Sequence, residues 1–241
     1  MFLIFRRQIQ KKRICVSKKK GQLVNLMFEL YNCDALKELS KVEIQKIEGK
    51  LKNTVFNLGH VNSLYQTMIR LVDSRRGQNP ATEMSIVSES GTTYYISMNQ
   101  VVIVMGWAYA SACEFKKQWF SSVIDFSKFV DRKGRPCSEP AGIVTLIKIL
   151  KSNRIKHLNY FDEVDSVLRN SFFHLDFRFS GDKIYCKHTP RIHFKNKWRT
   201  PKDNAQNKYI RLSDLMKSLI DADRSNLSLI HLLTYLSKKS V

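Results

Sequence analysis

Glycine is scarce in this chain, nine in 241 residues, and none of the nine falls into a phosphate-cradling arrangement of the Rossmann or P-loop kind. Gly-x-Ser-x-Gly and His-Glu-x-x-His are also missing, which removes the common hydrolase and zinc-protease signatures. The five cysteines, at 15, 33, 113, 137 and 186, include no pair two or three residues apart, so neither a disulfide framework nor a zinc ribbon is expected. Cys186, His188 and His193 are soft ligands close in sequence, yet no fourth lies near them. No metal or other cofactor is therefore expected. Long apolar runs are lacking too. Val101 to Cys113 is the longest and falls well short of the ~20 residues that cross a bilayer. The apolar start, Met1 to Phe5, stops at Arg6 and Arg7 before it could form a signal-peptide core. A cytoplasmic protein without membrane contact is the expectation.

Acidic side chains are the last deficit: 21 Asp and Glu stand against 41 Lys and Arg, giving a formal net charge of +20. Solubility needs a net charge of only ~2 to 8, so the excess points to a polyanionic partner. The first twenty residues hold eight of the basic residues and no acidic one. Residues 1–21 are read as a basic arm, flexible or strand-like, and residues 22–241 as one helical domain.

Apolar residues recur at three- and four-residue steps from Leu36 to Val72, which predicts a long amphipathic helix. A small hairpin is expected over 84–96, turning at Ser88 to Gly91. A second long helix, over Met98 to Val130, is almost wholly apolar in its first half, and Trp107, Tyr109 and Trp119 are read as its core packing. Ser138 is placed as the N-cap, with Pro140 in the first turn, of a helix reaching Lys151. Another helix is expected from Asp162 to Phe173. Two short strands around Ser180, Gly181 and Asp182 follow, then a basic irregular loop over 188–209. A final helix begins at Leu212 and is expected to break near Ser225. The predicted fold is mainly α, a helical bundle of four or more helices with a short β-hairpin after the 162–173 helix.

The chemistry-bearing segment is Leu168-Arg169-Asn170-Ser171-Phe172-Phe173-His174. Arg with Asn next to it and His five positions on resembles the Arg-x-x-x-x-His motif of HEPN-domain ribonucleases. The order of motif helix, hairpin and further helix over 162–236 is similar to that family as well. The resemblance implies metal-independent endonucleolytic cleavage of single-stranded RNA, of toxin or antiviral-defence type, by a homodimer. His174 and Arg169 would be catalytic and Asn170 would position them. An antitoxin or defence protein would be a further partner. Asp176 stands where some members carry a Tyr that a partner modifies, so that regulation is not expected.

The residue types suit the task. RNA brings its own nucleophile, the 2′-OH, so the protein need only move protons and stabilise phosphate charge. An imidazole titrating near pH ~6.5 can do the first and a planar guanidinium fork the second. Five residues turn a helix by ~140° and advance it ~7.5 Å, so the Arg must reach or a second subunit must complete the site. The competing expectation pairs Arg169 with Asp165 one turn earlier and leaves His174 as a helix cap. The protein would then be a non-catalytic RNA-binding or protein-interaction module. Lys187, Arg191, Lys195, Lys197, Trp198 and Arg199, basic side chains interleaved with an aromatic, are the candidate RNA-binding residues.

Overall fold

The computed structural model describes residues 18–49, 84–87, 90–180, 183–188, 192–194, 197–199 and 206–239. They divide into two compact units: Met1–Thr54 with Phe115–Asp162 and Asp223–Val241, and Val55–Glu114 with Glu163–Ala222. The fold is mainly helical with a small three-stranded antiparallel sheet, in agreement with the sequence pattern.

In the first unit, helix α1 (Lys18–Asn32) buries Leu23, Leu26, Met27 and Leu30 on one stripe. Lys18 to Lys20, read from sequence as part of a basic arm, thus begin a helix. Helix α2 covers residues 41–49, not 36 onward, because Ser40 and Glu43 close a capping box. The Ser40 amide donates to the Glu43 carboxylate at 2.8 Å and the Glu43 amide to Ser40 Oγ at 3.3 Å. Leu36 instead forms a β-bridge with Ile124. The rest of the expected 36–72 helix lies outside the described residues.

Helix α3 (Met98–Val123) opens on a second capping box, Ser97 with Gln100, and ends seven residues before the expected Val130. Asp125 then caps a 3₁₀ turn, Phe126–Lys128, and Val130 bridges Pro136. Helix α4 (Ile143–Ser152) starts at Gly142, whose extended backbone is the N-cap, so Ser138 and Pro140 lie before the helix and not in it. Around Tyr160 the core of this unit is aromatic. Trp119 and Phe120 meet edge to face at 5.1 Å, and Phe120 touches the Tyr160 and Phe161 rings at 5.9 and 5.1 Å. The Tyr160 hydroxyl donates to the Ser225 carbonyl at 2.7 Å, and Lys116, fully buried, lies 5.5 Å over its ring.

Ser225 belongs to helix α6 (Leu212–Lys239), which runs without the expected break. Polar residues do not end the helix here, because Ser225, Asn226 and Ser228 are buried and the Ser228 hydroxyl donates to the Ser225 carbonyl at 2.6 Å.

The second unit carries the sheets. Strands β1 (Met84–Val87) and β2 (Thr93–Ile96) pair antiparallel, as the sequence predicts. Helix α5 (Ser166–Phe173) precedes β3 (Phe177–Ser180) and β4 (Lys183–His188), the expected hairpin. The 188–209 stretch is not all irregular. It contains a two-stranded ribbon, β5 (Ile192–Phe194) with β6 (Lys197–Arg199), and the start of β7 (Gln206–Arg211). β7 lies antiparallel against β4, giving the order β3-β4-β7.

Scarce glycine has a structural counterpart at the helix ends. α1, α4 and α5 each close with a left-handed residue that is not glycine: Asp34 at φ 50°, Arg154 at φ 62° and Leu175 at φ 57°. Each closure shows the Schellman pair of bonds; at α4 the Arg154 and Ile155 amides reach the Lys151 and Leu150 carbonyls, both at 3.1 Å. A side chain in that conformation costs about 1–2 kcal/mol that glycine would not. Arg154 is exposed, so Arg154→Gly is expected to raise stability in urea by about 0.5–1 kcal/mol after glycine's greater unfolded-state entropy is counted. A loss of stability would contradict the closure as described.

Candidate functional site

Helix α5 has eight residues, too short to persist alone, and α3 holds it at three successive levels. At the first, Gly106 faces the Phe172 ring so closely that a Cβ there would sit 1.9 Å from Phe172 Cδ1. At the second, the buried Tyr109 hydroxyl donates to the Glu163 carbonyl and accepts from the Asp165 amide, both at 2.7 Å. Burial, above all, drives the Tyr109 phenol well above its ordinary range, so it stays a donor. At the third, the Glu114 carboxylate takes a hydrogen bond from the Arg169 guanidinium.

The helix start is equally determined. Asp165 Oδ1 accepts from the Val167 and Leu168 amides, both at 2.9 Å, and its other oxygen pairs with Lys208 of β7. Asp165 is therefore occupied as a cap, and Arg169 pairs with Glu114 instead of with Asp165 one turn earlier. At the other end, His174 is the C-cap, and its amide donates to the Asn170 carbonyl at 2.9 Å. The left-handed Leu175 then lets the Asp176 amide reach the Ser171 carbonyl at 2.8 Å.

These constraints gather the motif. Arg169 Nη1 donates to Asn170 Oδ1 at 2.5 Å while Nη2 engages Glu114, and the guanidinium carbon lies 4.6 Å from the Phe173 ring centre. His174 meets the same ring edge to face at 5.3 Å. Phe173 thus joins Arg169 to the end of the helix. The Arg169 side chain is only 13% exposed and its Nε is buried without a hydrogen-bond partner among the described residues. His174, Phe173 and Leu175 are exposed.

Of the candidate RNA-binding residues, Lys187 is exposed on β4; its carbonyl accepts from Ser171 Oγ at 3.0 Å and its amide donates to the Asp176 carbonyl at 3.0 Å. That ties the strand to the end of the motif helix. Lys197, Trp198 and Arg199 form β6, and Trp198 is in register with His193. Arg191 and Lys195 lie outside the described residues. Trp107, expected in the core, is 52% exposed, whereas Tyr109 and Trp119 are buried as expected. Sequence reasoning missed Glu114 and Phe173. Glu114 is 55 residues from Arg169 and no local pattern links them, whereas Phe173 stands at the helical i+4 position that could have revealed it.

Among the described residues no group of three or more His, Cys, Asp and Glu side chains could hold a metal ion, and no helix is long and apolar enough to cross a membrane. In the first unit a cavity of about 890 Å³ is lined by Asp34, Lys37, Glu43, Asp125 and Lys128, among others. Two of its four carboxylates are committed: hydrogen bonds from Ser40 hold Glu43, and from Ser127 hold Asp125, below the usual carboxylate range. Compared with family models, curated proteins and solved structures, the chain matches none.

Two measurements check this geometry. Glu114→Ala leaves the largely buried Arg169 charge without its carboxylate and is expected to cost about 1–3 kcal/mol in urea, with Glu114→Gln recovering part of it. An unchanged midpoint in the alanine variant would contradict the pair. Cys186 is fully buried on β4, and burial first, then the nearby Asp165 charge, pushes its thiol up to about 11. A thiol that holds its proton more tightly when folded contributes fully below the ordinary thiol range and loses that contribution as pH rises through about 11. At pH ~8 iodoacetamide is expected to label the exposed Cys33 and spare Cys186 until the protein unfolds.

Proposed function

We propose that the protein is a metal-independent endoribonuclease of the HEPN type, acting on single-stranded RNA through the 2′-OH. The observation that carries this reading is the junction at the end of α5: an Arg with its guanidinium fixed by Glu114 and Asn170 and stacked on Phe173, beside an exposed His on the same ring. His174 moves the protons, taking one from the 2′-OH or giving one to the leaving 5′ oxygen. Arg169 supplies positive charge to the phosphoryl oxygens, and Asn170 holds its guanidinium in place. One imidazole cannot be base and acid in the same instant. A second copy of the chain, bringing its own His174, completes the site in this proposal, and the toxin or defence setting and a regulatory partner belong to it too.

The Glu114 pair also favours a second reading, in which Arg169 is a strut between two helices and the protein binds RNA without cutting it. Cleavage assays in EDTA separate the two. The first reading expects RNA, but not DNA of the same sequence, to be cut. His174→Ala and Arg169→Ala should each reduce the rate by about 10²–10⁴-fold, and Asn170→Ala by less. Cutting that survives in both variants would refute the site, and absence of cutting by the wild-type homodimer would leave the second reading standing.

A further inference from the structure

The β3-β4-β7 sheet has one face turned toward the interior of its unit and one turned out. Ile184, Cys186 and Ile210 are buried on the inner face, and Phe177 and Phe179 are half-buried there. Strand alternation sends Arg178, Lys183, Tyr185, Lys187, Tyr209 and Arg211 to the other face. In register, Arg178, Tyr185 and Tyr209 form a single row across the three strands. The two tyrosine rings pack with centres 4.7 Å apart and planes inclined by 50°, and the Arg178 guanidinium lies 4.5 Å from the Tyr185 ring centre. Tyr209 is 57% exposed. Lys183 and Arg211 stand opposite each other one row away, and Lys187 lies on the far side. None of the residues in the three strands is acidic; Asp214, at the start of α6, accepts from the Arg211 backbone amide.

We propose that this outer face is a binding platform for single-stranded RNA, with two or three bases stacked along the Arg178, Tyr185 and Tyr209 row and the flanking phosphates held by Lys183, Lys187 and Arg211. Tyr209, exposed on the outer strand, and Tyr185, half-buried on the central one, offer ring faces to unpaired bases, which a duplex keeps hidden in its own stack. The ring of cations without a carboxylate on the strands selects a polyanion, and the aromatic row selects one that has bases. An acidic protein would use the charge and leave the rings idle. None of this depends on catalysis by His174. Where cleavage does occur, the Lys187 bonds to Ser171 and Asp176 place one end of the platform beside the end of the motif helix, so RNA lying on the sheet would run toward it.

The test is fluorescence anisotropy of the full-length protein with a labelled 2′-O-methyl oligouridylate, which 2′-OH chemistry cannot cut. Tyr185→Ala and Tyr209→Ala are each expected to weaken binding about tenfold with the salt dependence unchanged, and the Phe variants to stay within about twofold of wild type. Arg178→Ala should weaken binding and lower the salt slope by about one. The oligonucleotide reports binding without cleavage, so failure of the platform and failure of the catalytic reading give different results. Should an alanine variant not fold, Arg178→Glu at its exposed position serves in its place, with more than about tenfold loss expected. Binding within about twofold of wild type in the folded Tyr variants, or in Arg178→Glu, would overturn the proposal. So would equal competition by polyglutamate or by duplex RNA.

Discussion

The Phe172 ring lies directly on the backbone of α3 at Gly106, and the second unit's candidate site depends on that contact. No other residue type fits there, since the first atom of any side chain would collide with the ring. The close approach brings α5 within reach of Tyr109 and Glu114, which then fix its start and its Arg. An eight-residue helix gains little from its own hydrogen bonds, so its orientation is decided by what it packs against. Asp165 at one end and Leu175 at the other complete the arrangement, the first as a cap that also pairs with β7, the second by accepting a left-handed backbone that its side chain disfavours. That strain falls on Leu175, immediately after His174, and the two neighbours of His174, Phe173 and Leu175, are both exposed apolar side chains.

Electrostatics distribute unevenly over this framework. Several carboxylates of the described residues are spent within the fold: Glu43 closes a capping box, Asp165 caps a helix, Asp125 caps a turn, Asp131 grips Arg135, and Glu114 holds Arg169. The cations of β3, β4 and β7 meet no acidic neighbour on their own strands. Among the described residues, the second unit sets exposed cations beside aromatic rings. A guanidinium on a tyrosine in the sheet and a guanidinium on a phenylalanine at the helix end repeat one chemical theme, a flat cation on a flat ring, which suits a ligand made of phosphates and bases.

Much of this was legible in the sequence because the signals were local. The Ser180 to Asp182 turn between apolar strands gave the β3-β4 hairpin, and the apolar run from Met98 gave the longest stretch of α3. The Arg-Asn-x-x-x-His spacing led to the end of α5. The errors have local causes too. Helix α2 starts after Leu36 because the Ser40 and Glu43 capping box, visible as Ser-x-x-Glu, outweighs the apolar periodicity before it. Ser138 and Pro140 looked like a helix start, yet the chain stays extended until Gly142. Ser225 looked like a break, but its polar groups are satisfied inside the unit. What no local pattern could supply was the partner of Arg169 or the identity of β7 as the third strand. Both are tertiary contacts, one between residues 55 apart and one that converts a presumed loop into a sheet edge.

The proposed function is chemical at its centre: the RNA's own 2′-OH would be the nucleophile, with His174 and Arg169 as the groups that act on it. The most direct measurement is mass spectrometry of the ends left when the purified protein acts on RNA in the presence of EDTA. The account predicts a 2′,3′-cyclic phosphate on the upstream fragment and a 5′-hydroxyl on the downstream one. Fragments ending in a 3′-hydroxyl and a 5′-phosphate would mean that water, not the 2′-OH, is the nucleophile, and would contradict it.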